Sequence, residues 1–205
     1  SIASPEEIVA ARFEAVGQAL RRLLPQQIES AEIVEAVELV REAMVGCSIA
    51  GRPLFAAHAA LPWPSEPHVA LWHGLNLFRE HRGEGHTSAV MAARLTPAQT
   101  APLLIAATGE ARENRAWRWP DDVWNQAVAE LQERGWLDDA GGLTNDGLAA
   151  RTRIEDETDG LALGPWLQLG EERTHRLWTL LRDLLQVILD QNGLARLRTP
   201  IGLSW

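Results

Sequence analysis

Apolar residues recur at steps of three and four along most of this chain, and strict alternation is nearly absent, which predicts a mainly helical fold. Ser4-Pro5-Glu6-Glu7 combines a capping serine, a proline in the first turn and acids at the positive end of a helix dipole. The helix it opens carries Ile8, Val16, Leu20, Leu23 and Leu24 and stops at Pro25. A second helix is expected from Ser30 to Val45, with Ile33, Val37, Val40 and Met44 inward, and a short third from Arg52 to Ala60. Leu61-Pro62-Trp63-Pro64 is an extended connector. The next helix runs from Glu66 to Arg82 and is expected to end at Gly83-Glu84-Gly85, with a separate short helix from Thr87 to Arg94.

Thr96-Pro97 starts a strongly apolar helix ending near Thr108, and an arginine-rich stretch, residues 110–118, follows it. Trp119-Pro120-Asp121-Asp122 opens a helix that turns Val123, Trp124, Ala127, Val128 and Leu131 inward and ends at Gly135. Trp136-Leu137-Asp138 and Leu143-Thr144 flank Asp139-Ala140-Gly141-Gly142, the pattern of a small hairpin and the only strands expected. Asn145 is the expected cap of a helix reaching Leu161, and Pro165-Trp166 is the expected turn before a last helix from Glu171 to Gln191. That helix is apolar over more than one stripe, through Leu177, Leu180, Leu181, Leu184, Leu185, Ile188 and Leu189, so it is buried in its own chain or pressed on a partner. A homodimer is the favoured expectation. Three segments follow: an N-terminal helical one, 1–65, a central module, 66–162, and a C-terminal helix, 163–205.

With 46% apolar and 23% charged residues, the chain has the balance of a globular protein. No run reaches the roughly 18 apolar residues of a membrane span, and no leader pattern opens it, so a cytoplasmic location is expected. The single cysteine, Cys47, allows no internal disulfide and has no basic neighbour in sequence to activate it. All 19 basic residues are arginine, which together with abundant alanine and leucine fits a GC-rich, actinobacterial genome. The net charge of −9 opposes non-specific attraction to nucleic acid, whose phosphates draw basic faces.

The densest polar cluster is Arg79, Glu80, His81, Arg82, Glu84 and His86, with Trp72 and His73 earlier on the same helix. Such a set can hold an anion or place a proton donor and acceptor near neutral pH. It can equally be a helix end, where basic groups meet the negative pole of the dipole. A metal set of His73, His81, Glu84 and His86 fits no known ligand spacing: His73 and His81 point about 80° apart on an ideal helix. No metal and no cofactor is therefore expected. The nine tryptophans are aromatic walls for a ligand or core filling in a chain without tyrosine. Arg151 and Glu155 stand one helical turn apart, as do Arg153 and Glu157, the spacing of surface ion pairs. Asp156 or Asp159 facing a cavity is the alternative for this helix.

The segments LTPAQTAPLLIAATG at 95–109 and WNQAVAELQERGWLDDAGGLTNDGLAARTRIE at 124–155 resemble a winged-helix module of the MarR type. The resemblance implies a β-hairpin wing, a recognition helix that begins at Asp121-Asp122 and ends at Gly135, and dimerisation through terminal helices. LWHGLNLFREHRGEGH at 71–86, RGW…LT..G at 134–147 and IEDETDGLALGPWLQLG at 154–170 are similar to a little-characterised actinobacterial helix-turn-helix group called SalK-like. Members of that group carry a further helical segment ahead of the part seen here, so residues preceding Ser1 are expected.

The module departs from a DNA reader in two ways. Residues 109–119 leave little room for a supporting helix, and the recognition-equivalent helix begins Asp121-Asp122 and exposes Asn125, Gln126, Glu130 and Glu133 where arginine or lysine should dominate. Arg112, Arg115 and Arg118 just upstream are the bases able to touch a phosphate backbone.

Three functions stay open. The first is a small-molecule sensor or sequestering protein tied to specialised metabolism, its ligand held by Trp72, His73, Arg79, His81, Arg82 and His86. The second is a dimeric transcription regulator that still reads DNA. The third is an acid–base enzyme with His81 or His86 as base and Arg79 or Arg82 gripping a substrate carboxylate.

Overall fold

A computed structural model describes residues 2–109 and 119–191. The chain is mainly helical, and the described residues form two compact units. One comprises the residues up to Glu84 and those from Ala162 onward; the other runs from Gly85 to Leu161. The division differs from the three segments read along the sequence, because the C-terminal helix returns to the N-terminal ones.

The first unit contains α1 (Pro5–Leu23), α2 (Ala31–Met44), α3 (Pro53–Ala59), the residues of α4 (Pro67–Ala92) up to Glu84, α8 (Gly164–Leu169) and α9 (Glu171–Asp190). α1 begins in a capping box: Ser4 Oγ accepts from the Glu7 amide at 3.2 Å, and the Glu7 carboxylate accepts from the Ser4 amide at 2.7 Å. α2 is the central strut, with Ile33, Ala36, Val37, Val40 and Ala43 repeating at helical spacing and all buried. Leu177, Leu180 and Leu184 of α9 close on that core with Leu169 of α8. The inner line of α9's apolar face, Leu177, Leu180 and Leu184, is thus covered within its own chain, while Leu181, Leu185, Ile188 and Leu189 are half-buried. Arg176 adds a bidentate pair with Glu35, and Arg173 pairs with Glu42; both lie at the surface, where such pairs stabilise little.

Pro165-Trp166 sits inside a short helix, α8, where a turn was expected. Pro165 occupies the first turn, where its missing amide proton is not needed. α4 is the larger correction. It runs unbroken from Pro67 to Ala92, through the glycines expected to end it. Glycine weakens a helix by only about 1 kcal/mol, and here Glu84 ties the segment down: its two carboxylate oxygens accept the Leu54 and Phe55 amides at 2.9 and 2.7 Å, capping α3.

The second unit contains the residues of α4 from Gly85, α5 (Pro97–Thr108), α6 (Asp121–Glu133) and α7 (Asn145–Ala162). Its core gathers Ala89, Val90, Leu95, Leu103, Leu131, Leu137 and Ile154. α4 ends at Ala92, and Arg94 in the turn that follows has a φ of 56°, which reverses the chain. The Arg134 guanidinium then donates to the carbonyls of Arg94 (3.1 Å) and Ala93 (3.0 Å) and lies 3.9 Å over the Trp136 ring. The RGW segment is therefore a clamp on the end of α4.

Among the described residues the expected wing is a single antiparallel bridge, Leu137 to Leu143, with no strand on either side. Asp138 holds the turn by accepting from the Ala140 and Gly142 amides at 2.9 and 2.8 Å, so the loop closes before a ladder can extend. Thr144, not Asn145, caps α7: its hydroxyl oxygen accepts from the Gly147 amide at 3.0 Å. Gly147 is obligatory because a Cβ there would fall on the Trp136 carbonyl. These contacts give the LT..G pattern its physical meaning. Arg112, Arg115, Trp117 and Arg118 lie outside the described residues.

Candidate functional site

α4 carries all six residues expected to hold a ligand, but their environments differ. Trp72 is half-buried beneath the Arg12 guanidinium, 4.8 Å from its ring, and meets the edge of Phe13. His73 is 2% exposed and lies between Phe13 and Trp63, with ring centroids 5.5 and 5.2 Å away. Its Nε2 has no hydrogen-bond partner. Burial, reinforced by the charges of His58, Arg12 and Arg41, holds its pKa below the ordinary imidazole value.

His81 is equally buried. Its Nε2 accepts from the Ser48 amide at 3.3 Å, its carbonyl accepts from Arg52 Nε at 3.1 Å, and Phe55 packs edge-on against the ring. Burial, then the Arg52 charge, depresses its pKa. A ring nitrogen already accepting an amide proton in a closed core is a structural acceptor, poorly placed to serve as a base. Arg79 is largely exposed and pairs with its neighbour Glu80, and Arg82 is exposed. With Glu84 capping α3, the proposed metal set is dispersed, and among the described residues no three His, Cys, Asp or Glu side chains converge. Burial also raises the Cys47 thiol to about 11, which keeps it protonated.

His86 has a different setting. It borders a cleft of about 510 Å³ inside the second unit. Val90, Leu95, Pro97, Leu103, Leu104 and Ile154 make most of its wall, with Trp119 also lining it. Thr100, Arg151 and Glu155 join His86 as polar members, and Ala101 also lines the cleft. The volume is in the ordinary range for small-molecule sites, which are mostly apolar with a few placed polar groups. Arg151 and Glu155 form the i,i+4 pair anticipated from the sequence, at 3.2 Å, and both border the cleft. His86 Nδ1 lies 3.1 Å from Thr158 Oγ1, and Thr158, fully buried, donates to the Ile154 carbonyl at 2.7 Å.

Of the six residues expected at a site, only His86 borders this cleft. Thr100, Trp119, Arg151 and Glu155 went unassigned, because they come from separate elements and no local spacing joins them.

The outer face of α6 is the other candidate surface. Asp121, Asp122, Asn125, Gln126 and Glu133 are exposed along it, and the helix contains no basic residue. Glu130 is half-buried, accepting from Gln99 at 2.7 Å and Gln126 at 2.9 Å. Arg134, the base that follows, is engaged with the end of α4.

The chain belongs to a helix-turn-helix family, whose model matches residues 1–195. No curated protein and no solved structure matches it. No helix among the described residues is long and apolar enough to cross a membrane.

Proposed function

We propose that the second unit is a MarR-like winged-helix module, of SalK-like kinship, whose present task is to bind a small molecule in the cleft beside His86. The cleft carries the reading: it is ligand-sized, apolar-walled and furnished with His86, Thr100, Arg151 and Glu155. The acidic outer face of α6 supports it, because carboxylates repel the phosphates that a recognition helix must approach. A sensor or sequestering protein of actinobacterial specialised metabolism is the role this combination fits.

A thermal-shift screen of small, mostly apolar compounds tests the reading. A ligand at about one hundred times its Kd stabilises by about 2.7 kcal/mol, a shift of several degrees. Ala101→Phe fills the cleft and is expected to abolish every such shift while the far-ultraviolet circular dichroism stays unchanged. An absence of hits, or hits that survive Ala101→Phe, contradicts the proposal.

Family membership favours a second reading, a transcription regulator that binds DNA, alone or as a homodimer. The acidic face of α6 weighs against it, while the half-buried residues of α9, Leu181, Leu185, Ile188 and Leu189, are where a second copy would pack.

A further inference from the structure

We infer that the first unit carries a site of its own for a small oxyanion, the carboxylate or phosphate group of a soluble molecule, built by Arg12 of α1 and His58 of α3 and joined through Asn76 of α4. It stands apart from the cleft of the second unit and does not depend on it.

Guanidinium geometry is the first ground. Arg12 is exposed, lies 4.8 Å over the Trp72 ring and donates to Asn76 Oδ1 at 3.3 Å. Arg41, also exposed, lies 4.0 Å over the Trp63 ring. Among the described residues neither guanidinium meets a carboxylate, whereas Arg21, Arg151, Arg173 and Arg176 each hold one. A stacked guanidinium keeps its donors along the edge of the plane, and Asn76 occupies only part of that edge in Arg12. Carboxylate and phosphate oxygens match such a fork.

Proton bookkeeping is the second ground. Asn76 accepts from Arg12 through Oδ1, so its Nδ2 faces His58 Nδ1, 3.2 Å away, and donates to it. Nδ1 therefore offers the lone pair, and the neutral His58 ring carries its proton on Nε2. One asparagine thus links two groups that both have donors left to give.

The local field is the third. Besides burial, the groups that oppose protonation of His73 are His58, Arg12 and Arg41. All three are basic, in a chain whose net charge is −9. An oxyanion supplies the negative charge that this corner of the first unit lacks. Arg12, already held by Trp72 and Asn76, loses little freedom in meeting it.

Heteronuclear NMR tests the inference, with inorganic phosphate, benzoate and chloride titrated at a constant ionic strength of about 0.1 M. The Arg12 Nε–H and Trp72 indole N–H signals report on the site. Phosphate or benzoate is expected to move both, with half-saturation at about 1 mM, the strength of a few charge-assisted hydrogen bonds. Chloride, which has no paired oxygens, should act about tenfold more weakly. Arg12→Gln should weaken the oxyanion about tenfold, Arg12→Lys, which keeps charge without the fork, less so, and His58→Phe about threefold or more. Ala101→Phe should leave the titration unchanged, which separates this site from the cleft. No saturation by phosphate or benzoate below about 20 mM, or an Arg12→Gln titration equal to wild type, overturns the inference. So does a DNA duplex that moves these signals at micromolar concentration while neither small oxyanion does. Should Arg12→Gln not fold, the wild-type ranking of the oxyanions over chloride decides alone.

Discussion

Gly46→Ala is expected to destabilise the first unit by about 3 kcal/mol or more, lowering its melting temperature by about 6–12 °C. Gly46 and Gly164 face each other where the end of α2 meets the start of α8, and a Cβ on either would fall on the other's carbonyl oxygen. The obstacle is backbone on both sides, so no side chain can swing away to relieve it. Gly164→Ala should behave alike, and the double variant should lose less than the sum, since both act on one contact. Gly83→Ala is the counterpart. Nothing stands within 4 Å of its Cβ position, and it lies within the unbroken α4, so alanine should stabilise by about 0.5–1 kcal/mol. Differential scanning calorimetry reads all of these. A loss below about 1 kcal/mol for Gly46→Ala, or a loss for Gly83→Ala, contradicts the packing or the continuity of α4.

Acidification from about pH 7.5 to 5.5 should destabilise the protein progressively, through His68, His73 and His81. All three are buried, and burial is the leading cause that lowers each pKa. Arg21 opposes protonation of His68 while Glu66 favours it; His58, Arg12 and Arg41 oppose that of His73, and Arg52 that of His81. The sign follows from which state binds protons. Below about 6.5 the unfolded chain protonates these rings and the folded chain does not, so stability falls with pH until each folded pKa is passed. Each ring contributes at most about 1.4 kcal/mol per pH unit. Glu35, held below the usual carboxylate value chiefly by its hydrogen bond from Arg176, acts only in a more acidic window. Urea midpoints that stay flat from pH 7.5 to 5.5 would exclude the mechanism. His73→Phe, which keeps an aromatic ring between Phe13 and Trp63, should flatten the slope.

Much of this helical plan was legible because its signals are local. Ser4-Pro5-Glu6-Glu7 caps α1, Ile33, Val37 and Val40 mark the inner face of α2, and Arg151 and Glu155 pair across one turn, each within a few residues of chain. What escaped depends on tertiary partners. Gly83 reads as a break until Glu84 is seen capping α3 from the far side of a continuous helix. The HRGEGH cluster reads as one site because its residues are adjacent, yet a helix fans adjacent residues around its axis, which sends His81 into the core and Arg79 to the surface. The cleft has the opposite character: His86, Thr100, Trp119 and Arg151 are far apart in the chain and meet only through packing.

The charge of α6 was readable in sequence, and the fold gives it a setting. The acids lie on the exposed face, and Arg134, the base at the helix end, is committed to the carbonyls of Ala93 and Arg94. Family membership defines the scaffold; the use made of it depends on such side chains.

Fluorescence anisotropy of a labelled duplex carrying the DNA upstream of the protein's own gene, followed from about 50 to about 200 mM salt, addresses that use most directly. The account predicts no binding tighter than the micromolar non-specific range and little dependence on salt. Nanomolar affinity that collapses as salt rises, the mark of several phosphates neutralised at once, would contradict it.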